Sequence, residues 1–371
     1  MQIRRVILKG VRNFQDFDRS FEDSWSGRVP DSLLLIGPNG SGKTTLLNVI
    51  ADLWQILAHC LRDDSTMPGI ILPSSSTAAI ELIGLEREPV WVIYGGVEVE
   101  EEDGEYGYRT RVKRITVGQI DSHRIGALRH SGVLFYQGGE PPKELDYWYA
   151  NPGAIEPIEG ERFLDWKQPW SERLIENVFG KRQDLPNIVY LESETRVILP
   201  VSEKLSVQPE PEEFRWLARY EPTTSRKGSL QNYLYNLKVV DEAAFESIVG
   251  EANKFLIGKR FNGFDRRTSD LMVEVNSGGR HPITDLSSGE KQVLLMLATI
   301  TRWLRPGGVV LIDEPDLHLH SSLTTAFVGH LRRMVADKKG QLIIASHAPE
   351  LLQDFTTSHR VELGSLSEVV R

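Results

Sequence analysis

Gly37-Pro38-Asn39-Gly40-Ser41-Gly42-Lys43-Thr44 matches the pattern G-x-x-x-x-G-K-[ST] at every fixed position. Leu33-Leu34-Leu35-Ile36 before it reads as a buried strand. The stretch from Thr45 to about Cys60 after it reads as a helix, with Leu46, Ile50, Leu53 and Leu57 on one face. Strand, glycine loop and helix start form a cradle for an anion. Glycines let successive backbone N–H groups converge on oxygens, and the helix N-terminus adds partial positive charge. In that cradle Lys43 reaches the β- and γ-phosphates and the Thr44 hydroxyl ligates Mg²⁺, with Thr45 closing the run. An ordinary glycine turn would account for the glycines, but not for the strand before and the helix after.

The chain has 371 residues, which suggests two domains or one domain with a large insertion. A net charge of −9 argues against a generic nucleic-acid binder, so any DNA contact needs a local basic patch, a groove formed on dimerisation or a basic partner. The single cysteine, Cys60, excludes an internal disulfide and a cysteine-based zinc site, and it falls on the apolar helix as an expected core residue. Met1-Gln2-Ile3-Arg4-Arg5-Val6 lacks the apolar stretch of a signal peptide. No apolar run approaches a membrane span, so no membrane partner is expected and the cytoplasm is the expected compartment.

Ile3–Leu8 alternates as a strand, and Phe14–Phe21 continues as a second strand or a loop. Residues 65–78 read as loop. Val90–Tyr94 and Tyr108–Val112 look like the arms of a hairpin, with the acidic run Glu98–Glu105 as its solvated tip. Gly132–Gln137 and Ile188–Leu191 are short strands. Residues 229–257 read as one or two amphipathic helices. Beyond 270 the order becomes regular. Leu271–Val275 is a strand, Gly289 to about Leu304 a helix, Val309–Ile312 a strand, Ser321–Ala336 a helix and Leu342–Ala345 a strand. Alternating strands and helices argue for a mainly parallel sheet with helices on its faces.

Val309-Val310-Leu311-Ile312-Asp313-Glu314 places two carboxylates at the C-terminal end of a buried strand, where an open α/β sheet binds its ligands. Asp313 is expected on the Mg²⁺ shell and Glu314 on the attacking water. Leu286-Ser287-Ser288-Gly289-Glu290 opens the long helix and resembles the signature of ABC-type ATPases, with Ser288 in place of the first glycine. A plain Ser N-cap with Glu290 in the first turn is compatible with that reading. Ile343-Ile344-Ala345-Ser346-His347 ends a strand on a histidine that matches the switch histidine of the same family.

These elements in this order resemble the ABC-type ATPase superfamily. The start Ile3-x-x-Val6-x-Leu8-x-x-Val11-x-x-Phe14 and the run Asp313-Glu314-Pro315-Asp316-Leu317-His318-Leu319-His320 resemble its RecF-, SMC- and OLD-like branch, including stand-alone anti-phage ATPase subunits of the Septu type. Ile188–Arg196 resembles a strand-plus-arginine element of that branch. His318 and His320 are spaced i, i+2 with no third ligand nearby, which speaks against a metal site.

The resemblance implies an α/β ATPase head with a P-loop mixed or parallel sheet, an antiparallel β lobe and a helical insertion. The expected segments are 1–137 (first ATPase lobe), 138–270 (helical insertion and partner surface) and 271–371 (second lobe). It implies ATP and Mg²⁺ as ligands. Ser287, Ser288, Gly289 and Glu290 are expected to dock on the γ-phosphate held by a second copy, giving an ATP-sandwiched homodimer or higher oligomer. His347 is expected at the γ-phosphate. The family's Mg²⁺-watching glutamine is matched by Gln137, with Gln119 as the competitor.

The sequence ends at Arg371, soon after His347, so a nuclease or toxin effector is expected on a separate polypeptide. The leading functional reading is an ATPase whose ATP-dependent dimerisation controls such an effector, in anti-phage defence. A RecF- or SMC-like role in DNA repair is the alternative. The long interval from Thr44 to Ser287 disfavours the motor of a membrane transporter. The full motif set disfavours a non-hydrolysing clamp.

Overall fold

A computed structural model describes residues 1–61, 76–85, 89–94, 97–104, 107–115, 125–128, 133–137, 158–159, 168–174, 176, 185–207, 212–265 and 270–364. In chain order, the strands of the first half are β1 (Gln2–Val11), β2 (Phe14–Ser20), β3 (Ser32–Ile36), β4 (Thr77–Ile83), β5 (Val90–Tyr94), β6 (Val97–Gly104), β7 (Gly107–Ile115), β8 (Ile125–Leu128), β9 (Val133–Gln137) and β10 (Ile158–Glu159). Those of the second half are β11 (Ile188–Leu191), β12 (Leu217–Arg219), β13 (Lys259–Phe264), β14 (Leu271–Val275), β15 (Arg280–Pro282), β16 (Val309–Asp313), β17 (Gln341–Ser346) and β18 (Arg360–Glu362). The helices are α1 (Lys43–Leu61), α2 (Leu230–Val240), α3 (Glu242–Asn253), α4 (Ser288–Trp303) and α5 (Ser321–Asp337).

The chain divides into two compact units, each discontinuous in sequence, whereas the segments expected from the motifs are continuous. One comprises Met1–Pro30, Pro38–Leu185 and Leu363–Arg371; the other Asp31–Gly37 and Pro186–Glu362. The division follows from β3. It hydrogen-bonds with β17 and β18 of the second unit, while β2 before it and α1 after it belong to the first.

The first unit is built on a seven-stranded sheet in the order β10-β8-β9-β5-β4-β1-β2, antiparallel at each pair. Helix α1 packs on β4 and β5 of that sheet. Leu46, Ile50, Leu53 and Leu57 are buried as their spacing predicts, and Leu47, Trp54 and Ile56 are buried too. The helix is thus enclosed well beyond one stripe, as an apolar helix must be. The side chain of Cys60 lies outside the described residues.

The expected hairpin is corrected by the strand pairing. Val90–Tyr94 is an inner strand of the large sheet, between β4 and β9. The hairpin partner of β7 is β6, so the acidic run is a strand and not a tip. Its register places Glu98 across from Arg114, Glu100 from Arg111 and Glu102 from Arg109. An acidic run read without its partner strand looks like a solvated tip.

The second unit carries a six-stranded sheet in the order β12-β11-β16-β17-β3-β18, parallel at each pair. Both faces of its central strands are covered, so β16 and β17 are buried at every position and read as continuous apolar runs. Phe245 and Ile248 of α3, Leu294 and Leu297 of α4 and Phe327 and Leu331 of α5 share one core with Val310, Ile312 and Ile344 of the sheet. The 229–257 stretch forms two helices. Asp241 ends α2 with its N–H on Leu237 and caps α3 with its side chain on the Ala244 N–H. Buried Asn187 ties the end of α4 to the start of β16. Its side chain donates to Trp303 O at 2.8 Å and accepts from Arg305 N at 2.9 Å, and its carbonyl accepts from Val309 N at 2.8 Å. Strands β13, β14 and β15 form a small antiparallel sheet.

Candidate active site

Two constellations answer to the sequence motifs, one in each unit. The phosphate-loop residues Pro38–Thr45 belong to the first. Gly42 has φ +98°, and a Cβ there would stand 2.5 Å from the Phe14 ring. Only glycine fits, both for its backbone and for the ring above it. The side-chain amide of Asn13 donates to Gly40 O. The turn between β1 and β2 therefore buttresses the loop, a role that its sequence did not reveal. The Lys43 ammonium is buried and donates to Pro38 O at 3.1 Å, curled over its own loop. Helix α1 starts at Lys43, with Leu46 N–H on Gly42 O at 2.9 Å. Thr44 is exposed at this helix start and Thr45 is buried.

The second constellation lies where parallel strands of the second unit end side by side. Register pairs Asp313 with Ala345, and Ala345 with Leu35. Asp313 is 1% exposed and accepts a hydrogen bond from Ser193 Oγ to Oδ2 at 3.1 Å. Glu314 leaves the strand at φ +47°, with its N–H on Ala345 O at 2.7 Å. A residue other than glycine at that φ is uncommon and marks a position where the surroundings dictate the backbone. The turn aims the Glu314 carboxylate at His347, with Oε1 and Nδ1 3.3 Å apart. Ser346, fully buried before that histidine, donates to Asp316 Oδ1 at 2.6 Å and accepts from Ala348 N at 2.9 Å. It fixes the Asp313–His320 loop against the end of β17.

Arg196 lies beneath this cluster at 3% exposure. Its Nη1 donates to Asp313 O at 2.5 Å and to Leu191 O at 3.4 Å, and its Nη2 to Glu314 O at 2.6 Å. Burial pushes its pKa down to about 10, against the pull of Asp313, Asp316 and Glu314. The sequence signal was the polar stretch Glu192–Arg196 at the end of an apolar strand, but a contact to carbonyls more than a hundred residues away has no sequence trace.

The signature residues form an N-cap. Ser287 caps α4 in a capping box, its N–H and hydroxyl both on Glu290 Oε2 at 2.9 and 2.8 Å. Lys259 of β13 holds the same carboxylate oxygen at 2.8 Å. Burial would raise the Glu290 pKa, but Lys259 and the Ser287 amide and hydroxyl outweigh it and hold it low. A Cβ on Gly289 would stand 2.6 Å from His318 O, so the start of α4 lies directly on the loop that follows Glu314. Ser288 is the first helical residue. His320 is the N-cap of α5, its ring nitrogen Nδ1 accepting from Ser322 N at 3.4 Å. Gln137 ends β9, opposite Val90; its side chain, like all of Gln119, lies outside the described residues.

The residues present fit a nucleoside triphosphate and a hard cation. A loop that lacks Cβ atoms at Gly40 and Gly42, a lysine curled over it and a helix start at its end suit phosphate oxygens. The Thr44 hydroxyl of the first unit and, separately, the Asp313 carboxylate of the second are each an oxygen donor of the kind magnesium takes.

Fold and loop together define an α/β protein of the P-loop kind. The chain belongs to the family described as "AAA domain, putative AbiEii toxin, Type IV TA system", whose model matches residues 32–132 and 214–353. A curated relative is Protein ea59 of Escherichia phage lambda, 36% identical over 73 residues, which is 20% of this chain and only 14% of that protein. Among solved structures, the SMC head domain from Thermotoga maritima aligns at 13% identity over 95% of this chain and 92% of its own, with a TM-score of 0.41. An Smc head domain from Pyrococcus furiosus, bound to the C-terminal domain of ScpA, aligns at 11% identity over 95% and 91%, with a TM-score of 0.43. Among the described residues no helix is long and apolar enough to cross a membrane.

Proposed function

We propose that the chain is an ABC-type ATPase that hydrolyses ATP in a homodimer and thereby switches a separate effector protein. The observation that carries this reading is the Glu314–His347 pair beside buried Asp313. A carboxylate within reach of an imidazole is suited to orient a water and take its proton. Lys43 and the loop Gly37–Thr45 would hold the phosphates, and Thr44, Asp313 and Gln137 are the residues that the resemblance assigns to magnesium. A magnesium ion, when bound, neutralises charge on the phosphates.

The trans contribution of Ser287–Glu290 is supported by their place at a helix start, where partial positive charge favours an anion. The family's description, which names a putative toxin of a type IV toxin–antitoxin system, supports a toxin-linked role.

Complementation tests the dimer. Lys43→Ala should lose nucleotide binding, and Ser287→Arg should bind nucleotide without turning it over. Mixed together, the two variants can form one intact site per dimer, so turnover should return. Wild-type turnover by Ser287→Arg alone would overturn the trans reading. Absence of hydrolysis by the wild-type protein would overturn the ATPase reading.

A further inference from the structure

We propose that Arg196 is a positioning residue for hydrolysis, clamping the main-chain carbonyls of Asp313 and Glu314 and thereby setting the direction of both carboxylates. The inference rests on the ATPase reading above and adds a residue to it. Asp313 and Glu314 are successive residues with unlike conformations: the first ends a strand, the second has φ +47°. Their carbonyls must be held apart and held still for one carboxylate to stay by Ser193 and the other to reach His347. The two Nη groups of one guanidinium take one carbonyl each, at 2.5 and 2.6 Å. A planar fork can span two acceptors in fixed geometry, whereas an ammonium offers a point charge on a flexible stem.

The clamp is itself held. Glu192 accepts from Arg219 Nε at 2.6 Å on one side of the segment, and Val197 O accepts from the Tyr220 hydroxyl at 2.9 Å on the other. Ser193, within the same short segment, fixes Asp313 Oδ2. Thus one stretch, Glu192–Val197, contacts the backbone of both acidic residues and the side chain of one. Burying a guanidinium is costly unless charge and hydrogen bonds compensate it. Here the compensating carboxylates are those of the site itself: Asp313, Asp316 and Glu314.

The test compares wild type with Arg196→Lys, Arg196→Ala and Ser193→Ala. Equilibrium binding of a fluorescent ATP analogue, steady-state ATP turnover and melting temperature are measured for each. The clamp predicts analogue affinity within about twofold of wild type, with kcat falling about 100-fold in Arg196→Ala and at least about tenfold in Arg196→Lys. Ser193→Ala, on a half-exposed turn, should fold normally and lose kcat but not affinity. Added guanidinium ion should restore part of the Arg196→Ala turnover, and equal sodium chloride should not.

Wild-type kcat in Arg196→Lys and Ser193→Ala would overturn the clamp and leave the ATPase reading standing. So would losses of affinity and turnover in proportion to unfolded protein. A wild-type chain that binds nucleotide but never hydrolyses it would bring down both.

Discussion

Gly42→Ala tests the fit of the phosphate loop beneath Phe14. Two separate costs follow from the structure. The first is the backbone: at φ +98° a residue with a Cβ is strained by about 1–2 kcal/mol. The second is overpacking: the new methyl would stand 2.5 Å from Cζ and 2.7 Å from Cε2 of Phe14. Phe14 is buried and lies against Phe17, ring centroids 5.0 Å apart, so it has little room to retreat. Relieving such a clash costs about 1–3 kcal/mol. Gly42→Ala should therefore destabilise the first unit by about 2–5 kcal/mol.

The two costs separate in a double-mutant cycle. In a Phe14→Leu background the overpacking vanishes and the backbone strain remains. The cycle should show a coupling of about 1–3 kcal/mol, with Gly42→Ala less harmful once the ring is gone. Urea unfolding of the four proteins, followed by tryptophan fluorescence, supplies the numbers, since Trp54 of α1 is buried in this unit. Additivity within about 0.5 kcal/mol would refute the close approach of ring and loop.

Two further outcomes follow from the second unit. Gly289→Ala places a methyl 2.6 Å from His318 O and 3.1 Å from Leu319 Cδ2, and should lower stability by about 1–3 kcal/mol in urea unfolding; an unchanged midpoint would refute the packing of α4 on this loop. His330 sits beside Phe255 with Nε2 2.8 Å from Glu251 Oε2, and burial lowers its pKa, aided by Lys254 and Arg333 and opposed by Glu251. Its folded pKa lies below the unfolded value of about 6.5, so its contribution is full above that pH and is lost as pH falls through the folded pKa. His330→Gln should flatten the decline of the urea midpoint between about pH 7 and pH 5, and an unaltered slope would refute the assignment.

Much of the fold is legible in the order of the amino acids, because its signals are local. The apolar runs of β16 and β17 are continuous since both faces are buried, and the 3.6-residue period of α4 and α5 marks a helix wherever it sits. The loop Gly37–Thr44 and the pair Asp313-Glu314 are legible for the same reason: the chemistry needs adjacent residues in a fixed local order. Ser287 and Glu290, three residues apart, announce a capped helix start. Strand pairing is not legible in this way. Val90–Tyr94 has the composition of a hairpin arm, yet its partners β4 and β9 come from stretches that its own sequence does not specify. The acidic strand Val97–Gly104 finds its basic partner only through register.

Sequence by itself therefore determined which residues could do chemistry, since a phosphate cradle and an acidic strand end are properties of short segments. Tertiary structure alone decided what supports them. Phe14 over Gly42, Arg196 on the carbonyls of Asp313 and Glu314, and Ser346 on Asp316 join residues far apart in the chain through hydrogen bonds and van der Waals contact. Such contacts depend on where folding brings the backbone, and a linear pattern carries no record of that.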